Sequence, residues 1–172
     1  MPEPCHPLTM SQANALSRAL AATKKLPTPL RRAAMTKMFT FKVRFAGTGG
    51  VKIEEAGDGR AVLTMRNRRK VRNHIGGIHA AGMALLAESA TGVAFGLSIP
   101  DTHLPLLKSM KIDYVRRAQG DLRAEATLSA DQQAAMQTQE KGDAVVAVKV
   151  TDAAGEEPIR CVFVWAWVPK KR

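Results

Sequence analysis

The chain has 172 residues, of which 45% are apolar, and it carries a formal net charge of +11. A single domain of this length buries roughly two thirds of its surface, so its stability needs neither disulfides nor a metal. Its two cysteines, Cys5 and Cys161, form no CxxC pair, and four histidines without cysteine partners give no zinc signature. We expect both thiols to be reduced.

Positive charge is concentrated in two parts of the sequence. Between Pro4 and Ile53 there are nine Lys and Arg residues and no Asp or Glu, and a second basic cluster runs from Arg60 to Arg72. Such surfaces attract nucleic acid, anionic lipid or the phosphates of a cofactor, but they can also be solvated faces without a dedicated partner.

Targeting signals are the next class to consider. Prolines near the N-terminus oppose a secretory signal, so we expect a cytoplasmic protein. The basic segment from Leu8 to Phe45 has some transit-peptide character, which leaves an organelle matrix, such as that of the mitochondrion, as the alternative. The apolar stretch Ile75 to Ile99 contains Glu88 and five glycines, which favours a buried helix in a soluble domain over a membrane span.

Two helices are predicted before the first strand. The first runs from Ser11 to Lys25, with Ser11 as its N-cap, and it ends before Pro27 because proline lacks an amide proton. The second is short, from Leu30 to Met38. These helices predict a basic N-terminal extension over residues 1–45 and a main domain over residues 46–172.

Turn and strand patterns begin at residue 47. Gly47 to Gly50 predicts a turn. Val51 to Glu55 and Arg60 to Asn67 predict the two arms of a hairpin across Gly57-Asp58-Gly59.

The hairpin is followed by a long helix and then by about four strands. Ile78 to Phe95 is apolar nearly all round, so this helix must be covered on most sides. The later elements are predicted strands at Met110–Tyr114, Leu122–Leu128, Ala144–Thr151 and Ile159–Val168, with a polar helix or loop at Asp131–Gly142. We therefore predict an α+β fold in which an antiparallel sheet curls around one central helix.

Glu88 is the first candidate for chemistry, because it interrupts an apolar helix. Burial would raise the pKa of its carboxyl group toward the range that suits a general base. The alternative is a helical glutamate that reaches water or pairs with an arginine. His79 lies nine residues earlier, about 13.5 Å along the helix axis, so one helix cannot bring the two together. If they act together, a two-fold dimer must supply one of them from each chain.

The loop before this helix, from Asn73 to His79, offers a second kind of chemistry. Gly76 and Gly77 permit close approach to the backbone, and the helix start offers free amide protons that could hold an oxyanion. The alternative is an ordinary glycine loop with a turn-forming asparagine.

These motifs resemble a known family. Asn73-x-x-Gly76-x-x-His79 followed by Leu86-Ala87-Glu88 resembles the signature of hotdog-fold acyl-CoA thioesterases of the phenylacetate-degradation type. The stretch from about Val51 to Val168, including Val115-x-x-Ala118-x-Gly120-Asp-Leu122, resembles a thioesterase-like branch of unknown function. The resemblance implies a hotdog fold and a homodimer or a dimer of dimers. It also implies a substrate that is an acyl-CoA or an acyl-carrier thioester, with no cofactor beyond the CoA of the substrate.

The resemblance also implies roles for individual residues. Glu88 would be the general base or nucleophile, the Ala80 amide would bind the thioester oxygen, Asn73 would orient water or the thioester, and His79 would support the loop. Two departures bear on catalysis: the family usually has His-Gly-Gly where this chain has His79-Ala80-Ala81, and the acid is usually Asp.

The basic residues around the loop then gain a candidate role. They could hold the phosphates of coenzyme A together with Gly76 and Gly77. The candidates are Arg68, Arg69, Arg72, Arg116 and Arg117.

Three functions follow from the sequence. The first is hydrolysis of an acyl thioester at a dimer interface. The second is a non-catalytic hotdog protein that binds acyl chains or acyl carriers. The third is a basic nucleic-acid-binding protein, which the small number of aromatic residues disfavours because single-strand binding relies on aromatic stacking.

Overall fold

The computed structural model describes residues 14–171. In chain order the elements are α1 Ala15–Thr23, α2 Thr28–Lys42, α3 Arg44–Gly49, β1 Val51–Gly57, β2 Arg60–Met65, a short 3-10 helix Arg69–Val71, α4 Ala80–Ser98, β3 His103–Tyr114, β4 Leu122–Thr127, α5 Ala130–Thr138, β5 Gly142–Asp152 and β6 Ile159–Pro169.

The six strands form one antiparallel sheet in the order β1-β2-β4-β5-β6-β3. The sheet bends at β5, whose first half pairs with β6 and whose second half pairs with β4. This curvature lets the sheet wrap around α4, which contacts every strand. The predicted α+β fold, with a sheet around one central helix, is confirmed.

Helix α4 forms the centre of the hydrophobic core. Phe95 lies with its ring centroid 5.8 Å from that of Trp165 and 6.2 Å from that of Trp167. The indole N–H of Trp165 donates to the Thr91 hydroxyl at 2.9 Å, so the polar groups of these two buried side chains are hydrogen-bonded to each other. Helix α4 is long and apolar enough to cross a membrane by length and composition, but 56% of it is buried inside the protein, as in a core helix.

The hairpin between β1 and β2 closes as predicted. Gly57 pairs with Arg60, which leaves Asp58 and Gly59 as the two loop residues, with φ values of 50° and 70°. Two positive φ values in succession are the requirement of a type I′ turn, and Asp-Gly is a preferred sequence for it.

The N-terminal helices pack against α4 and β1. Asn14 caps α1, since its side-chain oxygen accepts from the Ser17 amide, and its side-chain amide donates to the carbonyls of Gly96 and Ile99, at 2.7 Å each. The cap predicted at Ser11 lies outside the described residues. Helix α2 extends at both ends beyond the predicted range.

Two predicted segments differ from the structure. The turn predicted at Gly47–Gly50 is wrong for most of its length, because α3 continues to Gly49 and only Gly50, with φ of 71°, leaves the helix. Gly49 packs closely on α4, since a Cβ there would lie 2.6 Å from Cδ2 of Leu85 and would require that side chain to move. Strand β3 begins earlier than predicted, because a register shift between Leu107 and Ser109 interrupts the alternation.

Candidate active site

The loop that precedes α4 is held in shape by Asn73. Its side-chain oxygen accepts hydrogen bonds from the backbone amides of Ile75 and Gly77, at 3.1 Å each. The backbone amide of Asn73 donates to the Gly77 carbonyl at 2.8 Å. Gly76 adopts a φ of 82°, which glycine tolerates best. The geometry shows a turn-organising role for Asn73.

His79 caps the start of α4. Its Nδ1 accepts from the Ala81 amide at 3.1 Å. An accepting Nδ1 places the imidazole proton on Nε2. Hydrogen bonds to the His79 carbonyl engage the amides of Gly82 and Met83. Within residues 14–171, no group accepts from the Ala80 N–H, so this amide is available at the positive end of the helix dipole.

Tyr114 adds a contact that the sequence did not reveal. Its hydroxyl, at the end of β3, donates to the Ala80 carbonyl at 3.0 Å. This bond ties the outermost strand to the first residue of α4. The hint available in the sequence was that Tyr114 is the single tyrosine of the chain and immediately precedes the segment from Val115 to Leu122.

Glu88 lies in the middle of α4 and is half-buried. Burial raises the pKa of its carboxyl group, and a hydrogen bond of 3.4 Å from the Ser89 hydroxyl opposes that rise only in part. In the described part of the chain no Lys or Arg forms an ion pair with it. The alternative in which it pairs with a nearby arginine is therefore not what the protomer shows. Eight residues separate it from Ala80, which is about 12 Å along the axis.

The loop also forms one wall of a cavity of about 340 Å³. Gly76, Gly77 and Arg117 line it together, with Asn67 and Gln119 beside them. The Arg117 guanidinium donates to the Ile75 carbonyl at 2.5 Å, so it is fixed against the loop. Three of the residues predicted to bind substrate thus meet in one place.

The other four predicted arginines are not among the residues that line this cavity, and each lies in a different setting. Arg72 donates to the backbone and side-chain oxygens of Asn67, at 3.0 Å each. The Arg68 guanidinium lies against Gly50, and Arg69 is exposed at the start of the 3-10 helix. Arg116 forms a salt bridge of 2.8 Å with Asp152, which fixes it to the protein.

Asp152 is a second residue that the sequence did not single out. Its side chain is fully buried and accepts from Arg116 and from the amides of Gln119, Ala154 and Glu156. Burial would raise the pKa of this carboxyl group, but these hydrogen bonds outweigh burial and hold the pKa below its usual value. Asp152 therefore fixes the segment that carries Arg117 into the cavity.

From Asn14 to Lys171, no cluster of three or more His, Cys, Asp or Glu side chains could hold an ion. The groups present are a carboxylate of raised pKa, a free helix-start amide and a cavity lined by glycines and an arginine. Together they suit the activation of water and the stabilisation of an oxyanion.

Several solved structures share this fold. A protein of unknown function from Pseudomonas aeruginosa, PA5026, with a suggested thioesterase activity, is 27% identical; the match covers 84% of this chain and 97% of that one, with a TM-score of 0.70. The thioesterase HI1161 from Haemophilus influenzae is 13% identical, with coverages of 80% and 90% and a TM-score of 0.62. A variant of the thioesterase PA1618 from Pseudomonas aeruginosa is 14% identical, with coverages of 86% and 98% and a TM-score of 0.64.

The family match agrees with these structures. No curated protein matches the chain. Residues 31–168 match a family defined by a domain of unknown function, DUF4442. That range includes α3, the hairpin, α4, strands β1 to β5 and all of β6 except its last residue. The chain therefore belongs to the DUF4442 family, a branch of unknown function within the thioesterase-like hotdog superfamily.

Proposed function

We propose that the protein hydrolyses an acyl-CoA thioester at a site formed between two protomers. The observation that carries the proposal is the arrangement along α4. A carboxylate of raised pKa at Glu88 and an unbonded amide at Ala80 occupy one helix, about 12 Å apart, too far to act on one carbonyl. Two-fold pairing of α4 with a second copy would bring the two groups together twice.

The open edge of the sheet supports such pairing. Strand β3 is 12 residues long, has a neighbour on one side only, and is exposed along most of its length. Met110 and Tyr114 pair with the core residues Phe163 and Ile159 and so project toward the helix side, yet they are 55% and 49% exposed. A long exposed edge strand with apolar side chains can pair with a strand of a second protomer.

The chemistry then requires one water molecule. The Glu88 carboxylate takes a proton from that water, and the water oxygen attacks the thioester carbon. The Ala80 amide donates to the oxygen that becomes negatively charged. When the tetrahedral intermediate collapses, the carbon–sulfur bond breaks and the sulfur leaves with the proton held by Glu88. Direct attack by the carboxylate, to form an anhydride that water then opens, uses the same groups.

The cavity beside the loop is the proposed binding site for the coenzyme A portion of the ester. Arg117 stands in its wall, and Arg72, Arg68 and Arg69 lie on the adjoining basic segment. Guanidinium groups form strong charge-assisted bonds with phosphate. Arg117→Met should raise KM for the ester by about tenfold with little change in kcat. Arg123→Met is the matched control, since Arg123 is exposed and bonded to Glu125.

The proposal is tested by thiol release from short, medium, long and aromatic acyl-CoA esters. Wild type should hydrolyse at least one of them, and Glu88→Gln should lower kcat by roughly a hundredfold or more. Glu140→Gln is the matched control, because it makes the same chemical change at an exposed glutamate outside α4. If the wild type binds an ester but never hydrolyses it, the protein is instead a non-catalytic acyl-binding hotdog protein.

A further inference from the structure

A larger cavity lies at the other end of the central helix, away from the loop of Asn73. It has a volume of about 570 Å³, which is in the range of small-molecule sites. Its walls come from α1, α2, the β1–β2 turn, the last turn of α4 and α5. About 13.5 Å of helix separates Glu88 from Leu97 in its wall, so the cavity is separate from the candidate active site.

The interior of this cavity is partly apolar. Leu20, Met35 and Leu97 line it, and they are 7%, 3% and 6% exposed. They belong to α1, α2 and α4, so the N-terminal helices create the space by packing beside the central helix. An aliphatic chain placed there would lose its contact with water.

Two cations, Lys24 and Arg31, are among the residues that line the cavity; Lys24 is exposed and Arg31 is half-buried. The Nε atom of Arg31 is shielded from solvent, and none of the groups in residues 14–171 accepts a hydrogen bond from it. A buried donor without an acceptor is costly and uncommon in folded proteins. Nε itself is out of reach of a ligand, but the two terminal nitrogens of the same guanidinium group are not shielded in this way and can bind an acceptor from the cavity.

The remaining charges of the lining leave the cavity positive. Arg60 and Glu55 form a salt bridge with each other, and Arg60 is also bonded to Glu125. Asp58 is exposed at the tip of the hairpin. Lys24 and Arg31 together therefore exceed Asp58 by one unit of charge, which suits a monoanion.

We propose that this cavity binds an aliphatic carboxylic acid, with its chain against Leu20, Met35 and Leu97 and its carboxylate on Arg31. An arginine fork binds a carboxylate through two parallel hydrogen bonds, which supplies direction as well as charge. This would be a second site for an acid, independent of the thioesterase activity proposed for the dimer interface.

The test is binding of decanoate, labelled with carbon-13 at the carboxyl, to the full-length protein without any thioester. Binding to the wild-type protein should shift the carboxyl resonance of decanoate, and the shift should saturate as the protein concentration rises. Decan-1-ol should bind at least about tenfold more weakly because it carries no charge. Arg31→Met, which keeps an apolar stem, should weaken decanoate binding by about tenfold or more. Ala21→Phe should also weaken it, by filling the space without changing charge.

The matched control is Arg32→Met, because Arg32 is adjacent but exposed and paired with Glu54. It should leave the affinity within about twofold of wild type. Arg31→Met should not lower the melting temperature of the free protein, since it removes an unsatisfied donor. Absence of saturable decanoate binding by wild type, or equal affinities of wild type and Arg31→Met, would overturn the proposal.

Discussion

The Tyr114 hydroxyl donates a hydrogen bond of 3.0 Å to the carbonyl of Ala80. This bond links the end of the edge strand β3 to the residue whose amide is free at the start of α4. An oxyanion donor is effective only when its position is fixed in advance. The strand proposed to meet a second protomer is therefore also the strand that holds the proposed oxyanion donor in place.

Tyr114→Phe tests this positioning role. The variant keeps the ring and loses one hydrogen bond, so we expect a stability loss of about 0.5–1.5 kcal/mol. The kcat for the best ester should fall on the order of tenfold while KM changes little, because the amide donor moves but the cavity lined by Arg117 does not. An unchanged kcat would show that the bond is structural only. Tyr114 is the single tyrosine, so loss of its absorbance verifies the variant.

Asp152→Asn tests the support of the cavity loop. The variant leaves the Arg116 guanidinium without its buried partner, and we expect a loss of about 3 kcal/mol or more in the free energy of unfolding. Because the pKa of Asp152 is lowered by folding, its stabilising contribution is present above the ordinary pKa of the group. That contribution is lost as the pH falls through the lower folded-state pKa. Denaturant titrations at neutral and acid pH should show a smaller pH dependence in the variant.

A matched control for this prediction is Asp143→Asn. Asp143 pairs with Lys108 on the exposed surface, with side chains 46% and 60% exposed, so its loss should cost less than about 1 kcal/mol. Equal losses from the two variants would contradict the structural role assigned to Asp152.

Glu88→Gln should stabilise the protein at neutral and higher pH. Burial raises the pKa of Glu88, so the native state keeps this proton to a higher pH than the unfolded chain does. Stability therefore declines as the pH rises from the ordinary pKa through the raised one. Melting temperatures of variant and wild type should differ little near about pH 4 and more near about pH 8. A lower melting temperature of the variant at both pH values would contradict the view that burial destabilises the Glu88 carboxylate.

Met110→Glu tests the proposed dimer edge. A charge on the helix side of β3 should prevent a second strand from pairing, so light scattering should detect a monomer and esterase activity should fall. Val145→Glu is the control, because Val145 is 52% exposed and pairs with Val164 on the outer face of the sheet. If the Met110 variant still forms a dimer, the edge of β3 is not the dimer contact.

The fold was predictable from the sequence because its main signals are strong and local. Three local patterns each predict a single type of structure: the Asp58-Gly59 turn, the long apolar helix around Leu86 and the alternation in β4. Helix α3 was missed because glycines suggest a turn locally, whereas Gly49 packs beside the side chain of Leu85, a contact between residues far apart in the sequence. The early part of β3 was missed because its irregular pairing hides the strand period.

The candidate site was predictable in part. Glu88 and the loop from Asn73 to His79 stand out by residue type and spacing. The structure leaves the Ala80 amide without an acceptor in the described residues, and the catalytic roles of these residues stay predictions. Tyr114 and Asp152 could not be found this way, because both act through contacts with residues more than 30 positions away. The predicted phosphate-binding role of Arg116 is the least supported, since Asp152 already binds that side chain.

In the proposed dimer, one active site uses Glu88 of one protomer and Ala80 of the other. Ala80→Pro removes only the free amide proton, because Ala80 is the first residue of α4, where proline is well tolerated, and His79 has the extended backbone that proline requires. Ala80→Pro and Glu88→Gln homodimers should each be inactive. When the two are unfolded together, mixed in equal amounts and refolded, the mixed dimers should contain one intact site. Activity should return to about a quarter of the wild-type value, the share that random two-fold pairing predicts. A mixture that stays as inactive as its parents would contradict a site shared between protomers.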